Sequence, residues 1–321
     1  MKYYCLPLIL PFSQAVVADQ KSTDSIEVIT TTASRVEALS TPLPLSISTL
    51  TDAQLKSIAP THIEEALQRV AGANVQRGNG QEYLPALRSP VLSGAGACGG
   101  MLTLEDGIPL RAAGFCNINE LFESHSEMAQ RIEVLKGPGS ALYGSNAVHG
   151  VINVITPDTT QGGGLLGVDY GSYGYARVKL RAGQDYGNSG IGINASITDD
   201  TGYRDDESVK QQKVNIRHRL ERDNLLLTSG ITYTHLDQQT AGFITGFESY
   251  KNKDIAQQNF DPDAFRKATS FRAWSNATWQ LANNDVLSTT VYMRDQSMDF
   301  FKHFLPGTPL EKNSQTGIGV Q

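Results

Sequence analysis

The chain has 321 residues, 19% of them charged and 40% hydrophobic, with a formal net charge of −6. That composition suits an ordered protein of one large domain or two ordinary ones and argues against long disorder. The acidic balance excludes a nucleic-acid binder working through a basic surface. Beyond the N-terminal residues no stretch approaches the roughly 20 apolar residues of a spanning helix, so the chain either avoids the bilayer core or crosses it as β-strands.

Residues 1–18 read as an export signal. Lys2 precedes the apolar run Cys5–Phe12, and Val16-Val17-Ala18 offers small residues for cleavage before Asp19. Removal of Cys5 would leave Cys98 and Cys116. An even count in an oxidising compartment favours a disulfide, and two cysteines lack the further ligands of a structural zinc. The six histidines are scattered and none shows paired metal spacing, so an enzyme is the least expected class and no metal or cofactor is expected.

After polar residues 19–25 comes Ile26-Glu27-Val28-Ile29-Thr30-Thr31-Thr32-Ala33, an isolated β-prone segment. It fits either an edge strand of the next domain or an extended peptide that adds itself to a partner's sheet. Residues 51–71 hold two helices divided by Pro60. Capping-box patterns start each, at Thr51–Gln54 and Thr61–Glu64. Ile63, Ala66, Leu67 and Val70 share one helical face, Gly72 ends it, and His62 is expected on the surface. From 73 to 157 the predicted elements are short strands: Asn74–Arg77, Met101–Glu105 before the turn Asp106-Gly107, Arg131–Leu135, and Gly150–Thr156.

Beyond Pro157 helical periodicity vanishes. Alternating segments are predicted at Leu165–Gly171, Tyr175–Gln184, Ile191–Asp199, Val209–Glu221, Leu225–Leu236, Thr269–Leu281 and Val286–Gln296, with an eighth beginning near Gln315. Short turns (185–190, 222–224, 282–285) alternate with longer polar connections (201–208, 237–267). Strands near ten residues with that asymmetry suit a transmembrane barrel, although a soluble antiparallel sandwich also alternates. In Val209–Glu221, Val209, Gln211, Lys213, Asn215, Arg217 and Arg219 share one face, suited to a lumen. Val214, Ile216 and Leu220 lie on the other, suited to lipid. Seven or eight strands are too few to close around a domain of the size that precedes them, which predicts an incomplete barrel and a truncated sequence.

The most specific run is Arg131-Ile132-Glu133-Val134-Leu135-Lys136-Gly137-Pro138-Gly139-Ser140-Ala141-Leu142-Tyr143-Gly144-Ser145-Asn146-Ala147-Val148-His149-Gly150-Val151-Ile152-Asn153-Val154-Ile155-Thr156. It reads as strand, glycine-rich turn, short helical turn, strand. A phosphate-binding loop is excluded because Lys136 precedes the glycines instead of following them. The run resembles the end of the plug domain of TonB-dependent outer-membrane receptors, with Lys136, Gly137, Pro138, Tyr143, Gly144, Gly150 and Asn153 as its landmarks. Glu64–Gln76 looks like the plug's helix and following strand. Arg88 and Asp106-Gly107-Ile108-Pro109 resemble two further landmarks, with Ser89 standing where the family has glycine.

The resemblance implies an α+β plug (39–157) followed by antiparallel transmembrane β-barrel strands (158–321), about 7–8 of an expected 22. Residues 19–38 would be a periplasmic segment whose TonB box includes Ile26, Glu27, Val28, Ile29 and Thr30. The implied function is active uptake, of a ferric siderophore first; a cobalamin, haem or glycan receptor, or a truncated ligand- or TonB-binding module, are the alternatives. Implied partners are TonB with its ExbB–ExbD inner-membrane complex, a metal chelate and outer-membrane lipid. The family's apical loops would be 89–100 and 110–122, which makes Arg111, Phe115, Asn117 and Asn119 candidate ligand contacts and joins Cys98 to Cys116.

Overall fold

The computed structural model describes residues 30–31, 38–39, 45–91, 100–111, 120–139, 143–144, 146–282, 285–302, 305–307 and 309–321. The signal segment, Cys98 and Cys116 lie outside these residues.

Strands β1 (Thr30–Thr31) and β2 (Ala38–Leu39) form a small antiparallel pair. A plug follows, built from β3 (Ile47–Thr51), α1 (Asp52–Ile58), α2 (Ile63–Leu67), β4 (Ala73–Arg77), β5 (Tyr83–Leu87), β6 (Met101–Glu105), β7 (Ile108–Pro109), β8 (Arg131–Lys136) and β9 (Gly150–Ile155). Its main sheet runs β3-β8-β9-β6-β7, parallel only between β6 and β9, and β4–β5 is a separate hairpin. Thr51 caps α1 with both capping-box bonds present. Ile63, Ala66, Leu67 and Val70 all join the core beside Leu50, Val75, Ile132 and Ile152.

The second helix corrects two expectations. Its N-cap is His62, whose Nδ1 accepts the Glu64 amide at 3.1 Å, because Glu65 folds back onto Thr61 N and Oγ1 at 2.9 and 2.8 Å. His62 is also buried, packed edge-on against Tyr83 with Nε2 3.2 Å from the Glu82 carbonyl oxygen.

A turn at Thr159–Gln161 leads into eight antiparallel strands: β10 (Gly163–Tyr170), β11 (Ala176–Asp185), β12 (Ser189–Asp200), β13 (Val209–Arg222), β14 (Leu225–Gln239), β15 (Phe265–Gln280), β16 (Val286–Phe301) and β17 (Leu310–Val320). They pair in chain order as one open sheet, the partial barrel expected. The turn lies directly on the wall: a Cβ on Gly192 would sit 2.0 Å from Thr159 Oγ1, so that wall position must be glycine.

The sheet's outward face carries a row of alternating charges. Asp199, Lys210, Asp237, Lys267, Asp299 and Lys312 stand directly opposite one another on six successive strands, alternating in sign. Lys267–Asp237 and Lys312–Asp299 close to 3.3 Å. Going down each strand from this row, the first outward apolar residue is Ala176 in the row itself on β11. It is Ile197 one outward position lower, then Val214, Tyr233 and Phe271 two lower, then Met293 and Ile318 three lower. Above the row, Phe265 stacks on Phe301 and Phe301 stands opposite Leu310, so apolar residues flank the charges on both sides at β15–β17. Trp279, Leu225 and Leu287 mark the opposite end of the face.

Candidate functional site

The inward face meets the plug through ion pairs and through one apolar cluster, in which Phe122 packs among Val209, Leu236, Ala268, Met298 and Phe300. Most plug carboxylates at this seam come from β6 and the segment Glu120–Met128. Glu105 pairs with Arg272 at 2.9 Å and receives the His125 amide at 2.7 Å. Glu123 lies 3.5 Å from Arg272 and accepts from Ser270 at 2.6 Å and from Gln296. Glu127 takes Lys213 at 2.9 Å and Ser196 at 2.5 Å. Asp106 pairs with Arg217 and also holds Thr156 at 2.8 Å. Glu105, Glu123, His125, Lys213 and Arg272 are all nearly inaccessible to solvent.

Burial alone raises all three glutamates, and the partners decide the outcome. For Glu105, Arg272 and His125 overcome burial and bring the carboxyl down to about 2. For Glu127, Lys213 and Arg177 do the same and hold it well below the usual range. For Glu123 burial wins over Arg272 and Arg294, and the carboxyl is raised.

Toward the long connections, the plug's β4–β5 hairpin is clamped to the wall. Gln81 N donates to Gln238 Oε1 at 3.0 Å, Asn79 Nδ2 donates to the Ala241 carbonyl, and Glu82 lies 3.3 Å from Arg266. Tyr83 Oη accepts the Leu121 amide at 2.9 Å, tying the hairpin to the acidic segment. Beside the tip is a cavity of about 410 Å³ lined by Arg77, Gln81, Tyr173, Tyr175, Tyr203 and Arg204, among others. The connection 201–208 on its rim is fastened to 240–264 by Arg204 on the Gln258 carbonyl (2.7 Å) and the Asp205 amide on that of Gln257 (2.8 Å). None of these residues was singled out from sequence; the turn Gly78-Asn79-Gly80 after a strand was the available signal.

The plug landmarks gather at the β8–β9 connection. Lys136 Nζ donates to Ser48 Oγ at 2.7 Å and to the Ala71 carbonyl at 3.3 Å. Gly137 N reaches the His149 carbonyl at 2.8 Å beside Pro138 and the left-handed Gly144, and Tyr143 is buried. Gly150 has φ +155°, and a Cβ there would lie 2.2 Å from the Leu135 carbonyl oxygen. Asn153 Oδ1 accepts the Gly107 amide at 3.1 Å, closing the Asp106-Gly107 turn. Arg88, before Ser89, adopts φ +48° itself and donates to Ser46 Oγ at 2.8 Å.

Of the candidate ligand contacts, Arg111 is buried and its Nη2 donates to the Met101 carbonyl at 3.1 Å. Phe115, Asn117 and Asn119 lie outside the described residues, as do Ile26, Glu27, Val28 and Ile29; Thr30 pairs with Leu39.

The family model of the TonB-dependent receptor plug domain matches residues 41–151. Among solved structures, Pseudomonas aeruginosa FpvA bound to heterologous pyoverdines is 17% identical with a TM-score of 0.70, over 91% of this chain and 40% of that one. The ferric citrate transporter FecA, unliganded, is 15% identical with a TM-score of 0.71, over 86% and 43%. The ferric yersiniabactin uptake receptor FyuA from Yersinia pestis is 15% identical with a TM-score of 0.62, over 80% and 41%. The chain spans about two fifths of the length of these structures.

Proposed function

We propose that the chain, whose residues 41–151 match the plug domain of TonB-dependent receptors and whose fold is that of such receptors, imports a scarce ligand, a ferric siderophore, with energy delivered through TonB. Its place is the bacterial outer membrane. The observation that carries the proposal is a plug held against the sheet by side-chain ion pairs, beneath a cavity open to the long connections. The outer membrane holds no nucleotide pool, so the plug must be moved mechanically. The β-prone run Ile26–Thr30 is the proposed handle, which adds to TonB's sheet edge through main-chain bonds. Ferric chelates are the cargo named for the similar FecA and FyuA structures.

Phe115, Asn117 and Asn119 are the apical contacts we propose, with Arg111 anchoring the start of their loop and a Cys98–Cys116 bond joining two apices. Mass mapping without reductant is expected to find that bond; two free thiols would refute it. The test of function is growth of a deletion strain under iron limitation on a panel of iron chelates. Loss of growth on one chelate class, restored by the gene but not by Val28→Pro, is the expected result. Growth unaffected on every chelate contradicts the siderophore reading and favours cobalamin, haem or a glycan.

A further inference from the structure

The inward face carries a pattern that the seam alone does not require. Counted on the rows of β14, Arg266 stands opposite Gln238, Lys213 opposite Thr234, and Arg272 opposite Thr232 with Arg294 beside it. Arg217 stands opposite Gly230 and Arg219 opposite Thr228. Six cations thus form one stripe on β13, β15 and β16, running ten residues from the outer lip toward the short turns, about 33 Å along the strands. All six are buried. Four face plug carboxylates: Arg266 meets Glu82, Lys213 meets Glu127, Arg272 meets Glu105 and Glu123, and Arg217 meets Asp106. The wall's own carboxylates take over only at the lower end, where Asp185 and Glu221 hold Arg219 at 3.0 and 2.5 Å.

A buried cation deprived of its counter-charge is strongly unfavourable, and a concave wall of one sign concentrates the opposite one. When the plug shifts, its carboxylates leave with it and the cations remain on the barrel. We propose that this stripe is a translocation track and that the cargo is anionic, its negative groups replacing the plug's carboxylates from Arg266 down to Arg217 and then meeting Arg219. The inference rests on the transport reading and deepens it: it selects anionic chelates over neutral ones.

The test is energy-dependent uptake of radioiron by cells whose only iron receptor is the intact protein. The iron is offered as anionic tricatecholate and tricarboxylate chelates and as a neutral trihydroxamate. The parent is expected to import an anionic chelate and not the neutral one. Arg219→Gln with Arg294→Gln should slow that import about tenfold at unchanged surface binding, since loss of a steering field acts on rate. Arg219→Lys with Arg294→Lys, which keeps the charge and controls for misfolding, should restore most of the rate. Equal import by the Gln pair and the parent, or import of the neutral chelate by the parent, overturns the track while leaving transport intact. No uptake of any chelate by the parent removes the transport reading, and the track with it.

Discussion

The plug's core and its seam with the wall are built from opposite chemistry. The core is apolar: Leu67, Ile132, Ile152 and Val154 are wholly buried among their own kind, under a backbone locked by Gly150. The seam is mostly ionic, with Glu105, Glu123 and Glu127 set against Arg272 and Lys213 and one apolar cluster around Phe122 beside them. Hydrophobic burial is non-directional and holds a domain together as a unit. An ion pair excluded from water contributes little net stability but fixes a position, and its partners can be exchanged for others of the same charge. The difference teaches that the plug is organised to fold as its own body and to be held in the wall by contacts that can be swapped.

The largest expected effect breaks the core side of this comparison. Gly150→Val puts a branched side chain against the Leu135 carbonyl oxygen at a left-handed φ, and should cost more than about 4 kcal/mol. Circular dichroism and limited proteolysis should find the plug unfolded while residues 163–320 stay protease-resistant. Next, Glu105→Ala removes the carboxylate beside buried His125 and leaves Arg272 with Glu123 alone, a cost of about 3 kcal/mol at the seam. It should loosen docking without melting the β8–β9 pair, read as faster amide exchange in 121–128 with unchanged exchange in 132–135 and 151–154.

Acid separates the two regions further. Burial, with Arg77 nearby, lowers His62 from 6.5 to about 4. The unfolded chain therefore binds that proton near pH 6.5 and the folded plug only near 4, so plug stability falls as pH drops through that window, by up to about 3 kcal/mol. Glu105 behaves oppositely in position: its contribution is complete above the unfolded carboxylate value and is lost only as pH falls toward about 2. Urea titrations from pH 7 to 4 should show the plug weakening, and His62→Gln should flatten that slope. The smallest effect concerns the outward charge row. Lys267→Ala faces Asp237 and Asp299 in solvent, and should cost about 0.5 kcal/mol or less by thermal melting.

Much of the fold was legible because its signals are local. The 3.6 spacing of Ile63, Ala66, Leu67 and Val70 identified the core helix, and the alternation in 209–221 separated the buried, plug-facing side from the exposed one. Strand Ile47–Thr51 was missed because Ser48, Thr49 and Thr51 look polar, yet it sits at the sheet edge beside β8. Tyr83–Leu87 was hidden by Pro85, which is tolerated because β4 is its only partner strand among the described residues. The outer ends of β15 and β16 read as loop since Lys267 and Asp299 are charged, but those charges answer each other across strands. The seam was not legible at all. Glu123 and Glu127 look like surface acids until Arg272 and Lys213, tens of residues later in sequence, are brought against them.

Whether the plug is a self-contained body held by exchangeable contacts can be read by amide hydrogen exchange on the protein in outer-membrane vesicles. Comparing the parent with the Glu105→Gln, Glu127→Gln double variant, the account predicts at least about tenfold faster exchange in 121–128 and at the hairpin tip 79–82, with β8 and β9 unchanged. If β8 and β9 accelerate together with 121–128, plug and seam are one cooperative unit and the account is wrong.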